Sequence, residues 1–121
     1  MYELHVEGEF AAAHCLRGYT GQCERLHGHN WRVQVVLKAE ALNDLGMALD
    51  FKDAKALLAK VVSAFDHRNL NDLPAFEKDN PTTENVSRVI YHELSKLTPA
   101  GVSVKSVTTW ESERCGATYT R

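Results

Sequence analysis

The stretch His27-Gly28-His29-Asn30-Trp31-Arg32-Val33-Gln34-Val35-Val36-Leu37-Lys38-Ala39 decides the fold. From His29 onward, Trp31, Val33, Val35, Leu37 and Ala39 fall on one side and Arg32, Gln34, Val36 and Lys38 on the other. That is the period of a half-buried strand. Upstream, Tyr2, Leu4, Val6, Gly8, Phe10 and Ala12 alternate with Glu3, His5, Glu7 and Glu9, which predicts a first strand over Tyr2 to Ala12 able to pair antiparallel with the second. Their connection, a polar glycine-rich loop around residues 17–22, is long for a hairpin, and long ordered connections tend to carry function.

Downstream the period changes. Asp50 is placed to cap a helix, with Asp53 able to reach back to it, and Ala54, Leu57, Leu58, Val61, Val62 and Phe65 share one helical face. Asp66 to Pro74 breaks that spacing and reads as a loop. A second helix opens at Pro81-Thr82-Thr83-Glu84-Asn85, capped by Thr82 or Thr83, buries Val86, Val89, Ile90 and Leu94, and ends at Pro99-Ala100-Gly101. Val102 to about Glu111 gives a third strand and Ala117-Thr118-Tyr119 a short fourth one. The order ββααββ predicts an α+β sandwich: a four-stranded antiparallel sheet with both helices on one side. Its outer edges and second face need cover, which oligomerisation by sheet extension supplies.

A chain of 121 residues fits a single domain, residues 1–121. Its formal charge of -2 leaves no global field for nucleic acid or an anionic bilayer. No apolar run reaches membrane-span length, and the start lacks signal-peptide character, so the expected location is cytoplasmic. Cys15, Cys23 and Cys115 are odd in number and lack CxxC spacing, which argues against a disulfide framework or a thiolate zinc finger.

His27 and His29 stand at i and i+2 where a strand begins, so their side chains leave the same face. His14 lies just past the first strand, and antiparallel pairing brings it beside them. An isolated histidine is more often a surface or satisfied core residue; an HxH element facing a third imidazole is the donor set of a catalytic zinc site, with a coordination place left open. Gly28 is expected to let the backbone approach the ion. His5 and His92 gain no such support.

Cys23 precedes His27 by four residues, and a thiol near a cation or imidazole is a candidate general base. Asp66-His67 offers a carboxylate and an imidazole for a proton relay, although neighbours in sequence need not face each other. Glu111, following Trp110, is a carboxylate that can accept two hydrogen bonds from an amidine-like ligand edge. Taken alone, each of these has an ordinary structural reading.

Together they form an ordered pattern. Phe10 to His14, Cys23 to Asn30, Leu49-Asp50-Phe51, Phe65 to Asn71, Pro81 to Asn85 and Trp110-Glu111 resemble the 6-pyruvoyl-tetrahydropterin and 6-carboxy-tetrahydropterin synthase family nearly end to end. The resemblance implies a tunnelling fold (T-fold) that assembles through trimers into a homohexamer with interfacial sites. It implies zinc on His14, His27 and His29, Cys23 as general base, Asp66 and His67 as relay, and Glu111 with Thr82 and Thr83 against a pterin. The implied substrate is 7,8-dihydroneopterin triphosphate. The three residues Glu24-Arg25-Leu26 between Cys23 and His27 resemble the bacterial 6-carboxy branch, which belongs to queuosine biosynthesis.

Overall fold

The computed structural model describes residues 1–18 and 25–121, so Cys23 lies outside the described residues. Strands β1 (Tyr2–His14) and β2 (His27–Ala39) pair antiparallel from Tyr2 opposite Ala39 to His14 opposite His27. Both run farther than their apolar residues mark. His14 closes β1 instead of following it, because it continues the phase of Phe10 and Ala12, as His27 and His29 continue that of Trp31.

Helix α1 (Phe51–Val62) begins at Asp50, whose carboxylate accepts from the Lys52 N–H at 2.9 Å. The Asp53 tie to the cap runs through the backbone, its N–H donating to Asp50 O at 2.9 Å. Helix α2 (Thr83–Ser95) is capped by Thr82, whose hydroxyl accepts from the Asn85 N–H at 3.1 Å. Two strands complete the chain, β4 (Val102–Trp110) and β5 (Gly116–Thr120), after a two-residue strand β3 (Arg68–Asn69) between the helices.

Strands β1, β2, β4 and β5 form the expected four-stranded antiparallel sheet, and β3 extends it. The order is β3-β1-β2-β4-β5, five strands, with β3 parallel to β1. The cause is the outer edge of β1, where backbone groups unused by β2 need partners. The Ala11 N–H donates to Asp66 Oδ1 at 2.9 Å, and Ala11 O accepts from the His67 N–H at 2.6 Å. The segment read as loop is therefore bound to the sheet, and two short 3-10 turns, Leu70–Asp72 and Pro74–Phe76, drop Leu70 and Phe76 into the core.

Helix α1 lies on β1 and α2 on β4 and β5, so both cover one face of the sheet as expected. The core between them holds Phe10, Trp31, Phe65, Phe76 and Ile90. Phe10 and Trp31 stack with ring centroids 5.7 Å apart, and Trp31 is fully buried. The β4–β5 turn closes through the Glu111 N–H to Cys115 O at 3.1 Å, and a side chain at Gly116 would strike the Trp110 ring at 2.6 Å. Glu111 thus leaves the strand at a fixed point. Among the described residues no helix is long and apolar enough to cross a membrane.

Candidate metal and substrate site

Register and alternation gather three imidazoles. His14 and His27 are direct cross-strand partners, and His29 stands opposite Ala12, one pair farther along the same face. Their rings lie edge to face at centroid distances of 4.7, 4.8 and 5.1 Å, and one nitrogen from each lies within 4.8 Å of the others. They sit above Trp31 at the end of the core, with His14 only 3% exposed.

Backbone carbonyls orient two of the rings. His14 Nδ1 donates to Pro81 O at 2.8 Å, and His27 Nδ1 donates to Arg25 O at 2.9 Å. A carbonyl can only accept, so Nδ1 carries a proton, and in the neutral ring the Nε2 lone pair is directed away from it. His14 Nε2 is buried and makes no hydrogen bond among the described residues. An orphaned buried acceptor is costly, and a divalent cation is the group that satisfies it. The donor set fits zinc: three imidazole nitrogens, with the His14 and His27 rings fixed through their other nitrogen. The cluster is therefore capable of chelating a divalent metal. Gly28 plays no part in approaching it, since position 28 alternates to the other face and an added Cβ there would meet nothing nearer than Ala12 O at 3.7 Å.

Glu111 joins this cluster. Thr109 is buried beneath α2, and two residues on, Glu111 returns to the same side. Its Oε2 lies 3.7 Å from His14 Nε2 and 3.8 Å from His29 Nε2. Thr82 and Thr83 follow Pro81, whose carbonyl holds His14, so the start of α2 is tied directly to a candidate ligand.

Asparagines hold the chain around His14, and the sequence reading gave them no role. Asn71 grips Cys15 at both ends, Oδ1 accepting from its N–H and Nδ2 donating to its carbonyl, each at 2.9 Å. Asn80 does the same for Arg17, and the Arg17 guanidinium donates to Phe76 O and, at 3.0 Å, to Asp79 O. Of the two, Asn71 lies inside a quoted motif segment and Asn80 directly precedes one.

Asp66 and His67 do face each other, His67 Nδ1 to Asp66 Oδ2 at 3.0 Å, because His67 adopts a left-handed φ of 58°. The Ala11 N–H bond, followed by His67, holds the Asp66 carboxyl below its usual range. The His67 side chain is 82% exposed and borders an open cleft lined by residues 11–13 of β1, 28–30 of β2 and Arg68, His29 among them. One chain brings together the triad, Glu111 and the start of α2; Asp66-His67 stands apart at the outer edge of β1.

A T-fold subunit carrying a three-histidine cluster at a strand end defines the class: a pterin-family synthase scaffold with a metal-binding site. The 6-pyruvoyl tetrahydropterin synthase family model matches residues 3–121, and the chain belongs to that family. The dihydroneopterin monophosphate aldolase of Pyrococcus furiosus is 36% identical over 107 residues, 88% of this chain and 87% of that protein. The 6-carboxy-5,6,7,8-tetrahydropterin synthase of Synechocystis sp. is 36% identical over 125 residues, 98% of this chain and 93% of that protein. The solved 6-pyruvoyl tetrahydropterin synthase of Caenorhabditis elegans superposes with a TM-score of 0.86 at 28% identity, covering 99% of this chain and 95% of that one.

Proposed function

We propose that this chain is a zinc-dependent lyase that converts 7,8-dihydroneopterin triphosphate to 6-carboxy-5,6,7,8-tetrahydropterin, releasing acetaldehyde and triphosphate, in cytoplasmic queuosine biosynthesis. The carrying observation is the convergence of His14, His27 and His29 beside Glu111 and the Thr82-Thr83 helix start. The 6-carboxy synthase of Synechocystis, similar over almost the whole chain, supports the branch, as does the short spacing from Cys23 to His27.

In this reading the three imidazoles hold zinc, which supplies a Lewis acid for the side-chain hydroxyls and stabilises developing negative charge. Glu111 accepts hydrogen bonds from the amidine edge of the pterin, and Thr82 and Thr83 line the ring. Cys23 takes a proton from the substrate side chain, and His67, oriented by Asp66, moves another. In this family reading the relay serves a triad across a subunit interface of a homohexamer, and the 82% exposure of the His67 side chain at the outer edge of β1 leaves it open to a partner copy.

A second reading is favoured by the Pyrococcus relative: side-chain cleavage with the phosphate retained. Incubating zinc-loaded protein with dihydroneopterin triphosphate and, separately, its monophosphate decides between them. Acetaldehyde with free triphosphate supports the proposal. A phosphorylated two-carbon aldehyde moves the assignment to an aldolase, and 6-pyruvoyl-tetrahydropterin without acetaldehyde moves it to the pyruvoyl branch. Pterin binding without turnover after zinc is restored leaves a binding module. Cys23→Ala is expected to keep its zinc while turnover falls by about 10²–10⁴; undiminished turnover removes Cys23 from its role.

A further inference from the structure

The geometry points to Glu111 as the fourth donor to the metal while no substrate is bound, so that the resting site is closed by a carboxylate of its own chain. The starting observation is an arrangement that makes poor sense with nothing between its members. With Nδ1 donating to Pro81 O, the neutral His14 ring carries its lone pair on Nε2, and that atom is buried. The polar atom it faces is Glu111 Oε2 at 3.7 Å, itself an acceptor. The same oxygen faces His29 Nε2 at 3.8 Å.

A bridging hydrogen bond needs a separation of roughly 2.7–3.2 Å, so these distances are too long for one. They are close to what donors of one cation require: with ligand bonds of about 2.0–2.1 Å, the edge of a tetrahedron is roughly 3.3 Å. The imidazole nitrogens lie within 4.8 Å of one another, and Glu111 Oε2 comes nearer to two of them than that limit. The carboxylate therefore stands at ligand-like spacing from two of the three imidazoles.

The rest of the chain keeps it there. Glu111 emerges from a turn pinned by its own N–H to Cys115 O, on the side of β4 that Thr109 marks as facing the core. Its side chain is 32% exposed, so it can be withdrawn without opening the core. A donor that swings aside suits a site that must exchange a resting ligand for an incoming one. The withdrawal by a pterin edge rests on the proposed function; the closure itself does not.

The test uses the full chain and no pterin. Cobalt(II) replaces zinc, and azide is the probe for an open coordination place, read from the visible absorption of the cobalt. In the parent protein azide should perturb the spectrum weakly, and in Glu111→Ala it should bind at least about tenfold more tightly. Acetate added to that variant should restore a parent-like spectrum, since it returns a carboxylate to the vacant corner. Zinc affinity, measured by chelator competition, should fall about 10–100-fold in Glu111→Gln, whose shape is kept and whose charge is lost. Equal azide binding in parent and Glu111→Ala overturns the inference, as does unchanged zinc affinity in Glu111→Gln. The product assay given above can fail while this one succeeds, or the reverse.

Discussion

Two histidines near the C-terminal end of β1 stand in opposite condition. On the core side, His14 is 3% exposed, held by Pro81 O, and flanked by residues that asparagines fix. At the outer edge, His67 is 82% exposed, held by one carboxylate and bordered by an open cleft. A ligand cluster must be rigid before its ion arrives, and rigidity comes from burial and carbonyl anchors. A proton carrier needs only orientation and access. The contrast suits a site whose buried half and exposed half come from different copies of the chain.

The largest effect that would break this comparison is loss of the rigid half. His27→Ala should lower zinc affinity by more than the roughly 100-fold that loss of a ligand's hydrogen-bond partner costs. Zinc content after dialysis measures it, and equal content in variant and parent contradicts the ligand assignment. His67→Ala should leave zinc content unchanged while turnover falls by about 10²–10⁴. If the halves meet across an interface, refolding the two inactive variants together returns activity in about a quarter of the sites by random assortment. Mixtures as inactive as their parts would place both halves in one chain's site.

How much of this could be read beforehand follows from which interactions leave a periodic trace. The alternation of Trp31, Val33, Val35 and Leu37 fixed β2, and the imidazoles could be placed because they keep its phase. Strand β3 has two residues and no period, so the parallel pairing of Arg68 with Ala12 was illegible. The approach of Glu111 to His14 depends on how β4 registers against β2 past an irregularity between Val36 and Leu37, which no single segment encodes. Bonds from Asn71 and Asn80 to backbone atoms 56 and 63 residues away are likewise invisible in composition or spacing.

Those asparagines sharpen the comparison at smaller scale. Asn71→Ala removes both bonds to Cys15, next to His14, and leaves the imidazoles and Asp66-His67 in place. Zinc affinity should weaken by about tenfold, within the range seen when the support behind a ligand is lost. Substitution that lowers turnover at saturating zinc with affinity intact would assign the rigidity of this face to something other than the asparagine grip.

The smallest effect concerns the exposed pair and its pH dependence. The Asp66 carboxyl is held below the usual carboxylate range in the folded chain, chiefly because the Ala11 N–H donates to it. A carboxyl whose pKa is depressed by folding contributes stability that is fully present above the unfolded value and is lost as pH falls through the folded one. The carboxyl is exposed, so the contribution is screened and small. Asp66→Asn should therefore be less stable than the parent in urea near pH 6, and the gap between the two should close as the pH falls from the ordinary carboxylate range through the lowered pKa of the folded chain. Ala11 keeps its bond from His67 N–H in either protein, so the variant tests the carboxylate alone. A gap that stays constant down to the acid limit would mean that Asp66 holds the edge of β1 by shape rather than by charge.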